Sequence, residues 1–516
     1  MLALVSLVRP PRSWAGLRLL PALCLGIVLL LGCRGRGAEF DLQAARRASD
    51  LDAVDVPGSA RIVDGVKLRE VRFSSRQWAA EPSVIRIQAF VAVPPGSFPL
   101  HSKPAVVFAH GLGAKADVQT AIDICRNLDV VALSLSGPGL GGSEGRALLP
   151  TDPEPLFVGQ DDIRRNWLYS YVYAILRTIT FAQTLPEVDS QAIALTGFSL
   201  GGIATFIANG VDDRIAGALP VAASGDLASA AGEETWLRKL LVSALQQRMA
   251  QQPPTAGQPT PDPSQQPLAD PGAQALFGKL DPLRYARRQN GPVYMLVGAQ
   301  DEYFRLPQVL KTFGSLRGRH HRLSLVADYD HGWYFSIGCP ARCMPGTPPG
   351  PDGSKPAPAA DCPPPPTCPT ACPAGAFPPY CGPQHSYNRS AEFLARWSAL
   401  LRALVANHVA RPRRPSQAAP PSPRVVVSPQ GVWVQPLAPA SHVRAAISLD
   451  CGYTFSQTEL MPQPDGSYSL SRSLPSNVIV IAEAESEDGV VTTAVPGLPP
   501  ATVCPPRVRP FFPLQP

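Results

Sequence analysis

Ser199 sits in Gly197-Phe198-Ser199-Leu200-Gly201, a match to G-x-S-x-G that continues into Gly202. The apolar run Ala192 to Thr196 before it is of strand type, and Leu200 to Ile207 after it suits a buried helix. A serine between strand and helix in this pattern is held out on a sharp elbow, where its hydroxyl can serve as a nucleophile. The glycines answer the crowding of such a turn, because a Cβ there would meet the neighbouring strand or helix. Acyl transfer by this serine also needs an acid and a histidine downstream, and both occur. Pro292 to Val297 is another buried-strand run, ending in Gly298-Ala299-Gln300-Asp301-Glu302, which offers Asp301 as the residue that orients the base. Leu323 to Ala327 leads into a loop carrying His331, where a general base can reach back to Ser199. Glu302 is an adjacent rival to Asp301. Asp226, just past the strand after the elbow, is a positional alternative, and Asp328 and Asp330 read as loop-capping residues.

Upstream, the strand run Pro104 to Ala109 ends in His110-Gly111-Leu112-Gly113. A loop of this kind brings a backbone N–H beside the serine, and the residue after the nucleophile supplies a second. Leu112 and Leu200 are therefore the candidate oxyanion donors, through backbone alone. His110 reads as a structural residue that fixes this loop. His320 and His321 precede the last strand, and His385, His408 and His442 fall in linker-like or later segments, so His331 is the base by position. This chemistry requires no metal and no cofactor.

The elements that must position these groups alternate strand and helix. Strands at Pro104 to Ala109, Val130 to Leu135, the elbow and Ile215 to Val221 are separated by helical patterns at Lys115 to Leu128 and Asp161 to Leu185. That rhythm predicts an α/β fold, a doubly wound and mostly parallel sheet, with an antiparallel pair (Arg61 to Phe73 and Ser83 to Val93) at its edge. The expected domain runs over residues 61–409, after a tether at 34–60 that holds a short surface helix. Two insertions interrupt it. Residues 224–290 carry an amphipathic cap helix (Glu234 to Met249) and a Pro/Gln-rich run read as a mobile loop. Residues 338–383 are rich in cysteine and proline and leave the sheet close to His331. Ser390 to Val409 reads as the closing helix, residues 410–424 as a Pro/Arg linker, and 425–516 as a small β-sandwich-like domain.

Net charge is +6 over 516 residues, with the basic residues dispersed, which points away from nucleic acid. Residues 1–33 read as an export leader: Arg9, Arg12 and Arg18, then an apolar stretch from Leu19 to Leu31. Leu30-Leu31-Gly32-Cys33 resembles the lipobox of bacterial lipoproteins, which implies cleavage before Cys33, its acylation, and membrane contact through that lipid anchor alone; the other reading is an ordinary secretory signal. Of the 11 cysteines, Cys24 and Cys33 belong to the leader and Cys125 reads as a buried thiol. Cys339, Cys343, Cys362, Cys368, Cys372, Cys381, Cys451 and Cys504 form an even set expected to be disulfide-bonded in an exported protein, with Cys451 and Cys504 able to clasp the C-terminal domain. A zinc site among the first six lacks the paired C-x-x-C spacing of a zinc ribbon.

With these residues placed, the chain resembles the α/β-hydrolase superfamily, and within it the acetyl xylan esterase and dienelactone hydrolase-like group, which neighbours prolyl oligopeptidase-type peptidases. His110 to Gly113, Gly137-Pro138-Gly139-Leu140-Gly141-Gly142-Ser143, Leu185-Pro186-Glu187-Val188-Asp189 and Gly197 to Gly202 carry the likeness, which spans about residues 61–337 and the closing helix. The resemblance implies Ser199 as nucleophile, Asp301 as orienting acid, His331 as base, and Leu112 and Leu200 as oxyanion donors; it is specific for the superfamily and not for a substrate, for which a small ester is the favoured expectation. Two rival expectations are a serine peptidase of the same fold and a non-catalytic surface binding protein.

Overall fold

The computed structural model describes residues 40–233, 235–251, 264–327, 329, 331, 390–410, 420–449, 451–452, 455–500 and 503–504. From Leu42 on, the chain packs as one compact unit. Its centre is a ten-stranded sheet in the order β1-β3-β4-β6-β5-β7-β8-β9-β10, with β2 paired to β3. These strands are β1 (Val54–Asp55), β2 (Arg61–Val63), β3 (Val66–Arg76), β4 (Val84–Val93), β5 (Lys103–Ala109), β6 (Val131–Leu135), β7 (Val188–Phe198), β8 (Ile215–Val221), β9 (Tyr294–Gly298) and β10 (Arg322–Val326). β5 to β10 run parallel to one another, while β1 to β4 join the sheet through antiparallel pairings. Every residue of β6 and β9 is buried, as expected for parallel strands covered on both faces.

Several elements differ from the sequence reading. Arg61 to Phe73 is not one strand. Asp64 and Gly65, at φ 49 and 81, form a two-residue turn that folds β2 back onto β3. Val54 and Asp55, expected in a tether, pair with β3. The long helix starts at Trp167 rather than near Asp161, because the Asn166 side chain caps it by accepting the Leu168 N–H at 2.9 Å. Its residues Trp167 to Ala182 are all buried, so over this length no face of it meets solvent. The covering layer comes partly from the chain start: the Arg177 guanidinium donates to the carbonyl oxygens of Ala44, Ala45 and Arg47.

Among its described residues, the insertion after β8 contributes the α-helices Leu227–Gly232, Trp236–Gln251, Pro271–Lys279 and Pro282–Tyr285. The third lies partly in the run expected to be a mobile loop. Asp270 caps it and Pro271 opens it, a pairing in which the missing proline N–H costs nothing. The cysteine-rich insertion, Cys33 and the rest of the expected leader lie outside the described residues. The helix Ser390–Leu404 closes the sheet.

Among the described residues, eight further strands build the C-terminal part: β11 (Pro423–Ser428), β12 (Gly431–Pro436), β13 (His442–Ser448), β14 (Ser456–Glu459), β15 (Met461–Pro462), β16 (Tyr468–Ser471), β17 (Ile479–Glu485) and β18 (Val491–Ala494). They form two four-stranded antiparallel sheets, β11-β12-β16-β15 and β14-β13-β17-β18. Val432, Val434, Val443, Ile447 and Val480 share the core between them. A disulfide joins Cys451 to Cys504. Among the described residues no helix is long and apolar enough to cross a membrane.

Candidate active site

The site lies at the carboxyl ends of the parallel strands. Ser199 is the single residue between β7 and the helix Leu200–Val211, and its backbone stands at φ 56, ψ −117. A non-glycine residue costs about 1–3 kcal/mol there, so the surroundings must hold it. Ser199 N–H donates to the Val221 carbonyl at 2.8 Å, and Ser199 C=O accepts from Ile203 at 2.9 Å. Gly201 explains the motif's spacing. A Cβ on it would lie 2.1 Å from the Ala109 carbonyl oxygen, so the helix start can approach the end of β5 only if this residue is glycine.

The acid and base loops meet this serine. His331 Nε2 is 2.7 Å from Ser199 Oγ, and His331 Nδ1 is 2.7 Å from Asp301 Oδ2. Asp301 and His331 are both buried. The second oxygen of Asp301 accepts the N–H groups of Tyr303 at 2.9 Å and Phe304 at 2.8 Å, which fixes the carboxylate plane. Glu302, the rival acid, turns elsewhere: its Oε2 accepts the backbone N–H of His331 at 3.0 Å. Asp226 is paired with Lys311 Nζ at 2.8 Å. Asp328 and Asp330 lie outside the described residues.

The loop from His110 to Gly113 reaches the same place, since a Cβ on Gly111 would lie 3.4 Å from Ser199 Cβ. Leu112 and Leu200 both line the space beside Ser199. Leu200 opens its helix, so its N–H has no acceptor within that helix. His110 is buried beneath this loop. Its Nε2 accepts the Gly137 N–H at 2.8 Å, which leaves Nδ1–H to donate to the Gly111 carbonyl at 2.7 Å. The ring is thus a neutral clip between two loops. Burial pushes its pKa down from 6.5 to about 4, against the opposing effect of the Gly111 bond. Between pH 6.5 and 4 the unfolded chain binds a proton here that the folded chain refuses, so stability present above 6.5 is lost as pH falls through that window. We expect the Tm of wild type to drop more steeply over this range than that of His110→Gln. Parallel Tm–pH profiles would contradict the neutral assignment.

Three groups of site residues were not legible beforehand. Tyr303, Phe198 and Phe304 surround the His331 ring, with centroids 4.3, 5.7 and 5.8 Å away. Leu237 and Leu240 come from the cap helix Trp236–Gln251 and close over the serine, and Leu156, Leu168, Leu227 and Leu276 complete the wall. The signals were the aromatic pair directly after Asp301 and Glu302 and the i, i+3 leucines on the cap helix. The leucines from the other helices carried none.

A family model described as PhoPQ-activated pathogenicity-related protein matches residues 157–336. No curated protein matches the chain. Among solved structures, an acetyl xylan esterase from a Paenibacillus species is 19% identical, with a TM-score of 0.47 over 58% of this chain and 90% of that one. Acetyl xylan esterase 1 from a Thermoanaerobacterium species is 14% identical, with a TM-score of 0.42 over 56% of this chain and 88% of that one. An acylaminoacyl peptidase from Pyrococcus horikoshii is 17% identical, with a TM-score of 0.36 over 53% of this chain and 39% of that one. With its strand order, its elbow between β7 and a buried helix, and loops after β9 and β10 that meet the elbow, the chain has the fold of the α/β-hydrolase superfamily.

Proposed function

We propose that this chain is an exported serine hydrolase that cleaves carboxylic esters through an acyl-enzyme. The observation that carries the proposal is the unbroken relay from Ser199 Oγ through His331 to Asp301, with both bonds at 2.7 Å. His331 takes the hydroxyl proton as Ser199 attacks the ester carbonyl, and the Asp301 carboxylate steadies the resulting imidazolium. The backbone N–H groups of Leu112 and Leu200 receive the oxyanion, a contribution of about 10²–10³ in rate per donor. His331 then passes its proton to the departing alcohol, and water attacks the acyl group by the same route in reverse.

The space beside Ser199 is about 40 Å³. Among the described residues that line it, only Ser199 and Tyr303 carry polar side-chain atoms. Such a pocket favours a short apolar acyl group. Trimming its roof should relax this preference. For Leu240→Ala we expect the kcat/KM ratio of hexanoate to acetate esters to rise about tenfold, the range that one or two buried methylenes provide. An unchanged ratio would place the acyl group elsewhere. Export is proposed from the leader and Cys33, and the Cys451–Cys504 disulfide fits an oxidising compartment.

The decisive experiment treats the intact protein with a fluorophosphonate and then offers wild type a panel of p-nitrophenyl esters and matched peptide amides, with Ser199→Ala as blank. Labelling at Ser199 and preference for short esters are expected. Failure to label Ser199 would end the enzymatic reading, and faster amide cleavage would replace the esterase with a peptidase.

A further inference from the structure

We infer that the C-terminal β-sandwich is a positioning device for the acid and base loops, acting through Thr493 on β18. β10, which delivers His331, is the last strand of the large sheet, so among the described residues one side of its backbone lacks a strand partner. Such an edge needs its N–H and C=O groups satisfied by something else. The sandwich supplies it. The Leu325 N–H donates to Thr493 Oγ1 at 3.1 Å, and the Thr493 hydroxyl donates onward to the Leu323 carbonyl at 3.3 Å. One hydroxyl thus spans two successive edge groups of β10. The Leu325 carbonyl accepts from the buried Arg396 guanidinium at 2.9 Å, and that guanidinium donates in turn to Glu483 on β17 at 2.9 Å.

The acid loop is held from the same side. Gln300, the residue before Asp301, donates its side-chain N–H to the Gly452 carbonyl at 3.3 Å. Gly452 follows Cys451, which the disulfide to Cys504 fixes within the sandwich. The two loops are also tied to each other, by Gln300 N–H to the Tyr329 carbonyl at 3.1 Å and Ala299 N–H to the Val326 carbonyl at 2.9 Å. Asp301 and His331 therefore leave strands that the sandwich grips at both the backbone of β10 and the tip of β9. Ser199 and the oxyanion loop leave β7 and β5, far from this contact in strand order. The coupling should act on the acid–base pair and leave the nucleophile elbow alone.

This rests on the esterase reading for its kinetic arm only. In the full chain, Thr493→Val keeps the side-chain shape and removes both edge bonds. We expect kcat on a short ester to fall about tenfold with KM within twofold, because small displacements of aligned groups are costly. Amide hydrogen exchange should quicken over residues 299–305 and 323–327 and stay unchanged over 197–203. Thr493→Ser should restore both readouts. Should Thr493→Val fail to fold, Gln300→Met tests the acid side by the same measurements. Unchanged kcat, or exchange that quickens equally at the elbow, would overturn the inference. Exchange needs no substrate, so a wild type without turnover would sink the esterase reading while the exchange pattern still decides this one.

Discussion

Ser199→Ala is expected to lower kcat on a short-chain ester by about 10⁵–10⁶, and Asp301→Asn by about 10⁴, while Glu302→Gln stays within about threefold of wild type. The separation between the two neighbouring acids follows from which atoms they meet. Asp301 Oδ1 already receives two backbone N–H groups, from Tyr303 and Phe304. An asparagine at this position must keep its carbonyl oxygen there, so its NH₂ faces His331 Nδ1. That forces the proton of a neutral imidazole onto Nε2, where it opposes the Ser199 hydroxyl instead of receiving its proton. Glu302 instead accepts the backbone N–H of His331 through Oε2, a role that the amide oxygen of glutamine fills equally well. Steady-state kinetics of the three variants checks the assignment. A larger loss in Glu302→Gln than in Asp301→Asn would reverse it.

That choice marks where sequence stops informing. The apolar runs that became β5, β6, β7 and β9 were legible because a strand covered on both faces excludes polar side chains whatever lies around it. Ser199 was legible for a local reason, since its turn admits only glycine two residues to either side, at Gly197 and Gly201. The order of acid and histidine then followed from strand order. By contrast, Asp301 and Glu302 are both carboxylates and both bond the same histidine. Only the direction of each side chain separates orienter from loop brace, and that direction is set by the turn at Tyr303 and Phe304. The burial of Trp167 to Ala182 was hidden because the covering layer comes from distant chain, through Arg177 and the carbonyl oxygens of residues 44–47. Docking of the sandwich was hidden too, because Thr493, Arg396 and Glu483 are residue types that read as solvent-facing until their partners are known. The Asp64-Gly65 turn is the exception, a turn signal that is present in the sequence but embedded in a longer alternating pattern.

Gly201→Ala should abolish the native elbow, with a loss of about 4 kcal/mol or more in unfolding free energy, the range reserved for backbone and overpacking clashes with no escape. The added Cβ would stand 2.1 Å from the Ala109 carbonyl oxygen and 2.5 Å from that of His110. Neither atom can retreat cheaply. Ala109 is bonded between β6 and β7 in the middle of the sheet, and His110 is clipped to Gly137 and to Tyr171, whose hydroxyl donates to its carbonyl at 3.1 Å. The helix start must move instead, taking Leu200 N–H and Ser199 with it, so fluorophosphonate labelling should vanish together with stability. Gly278 is the matched control: it lies in the helix Pro271–Lys279 with nothing within 4 Å of an added Cβ, and Gly278→Ala should stabilise by up to about 1 kcal/mol through helix propensity alone. Denaturant midpoints and labelling rates of the two variants separate the cases. A Gly201→Ala protein as stable and as reactive as wild type would mean that the helix does not begin against the end of β5, and the geometry of Ser199 that depends on that contact would have to be redrawn.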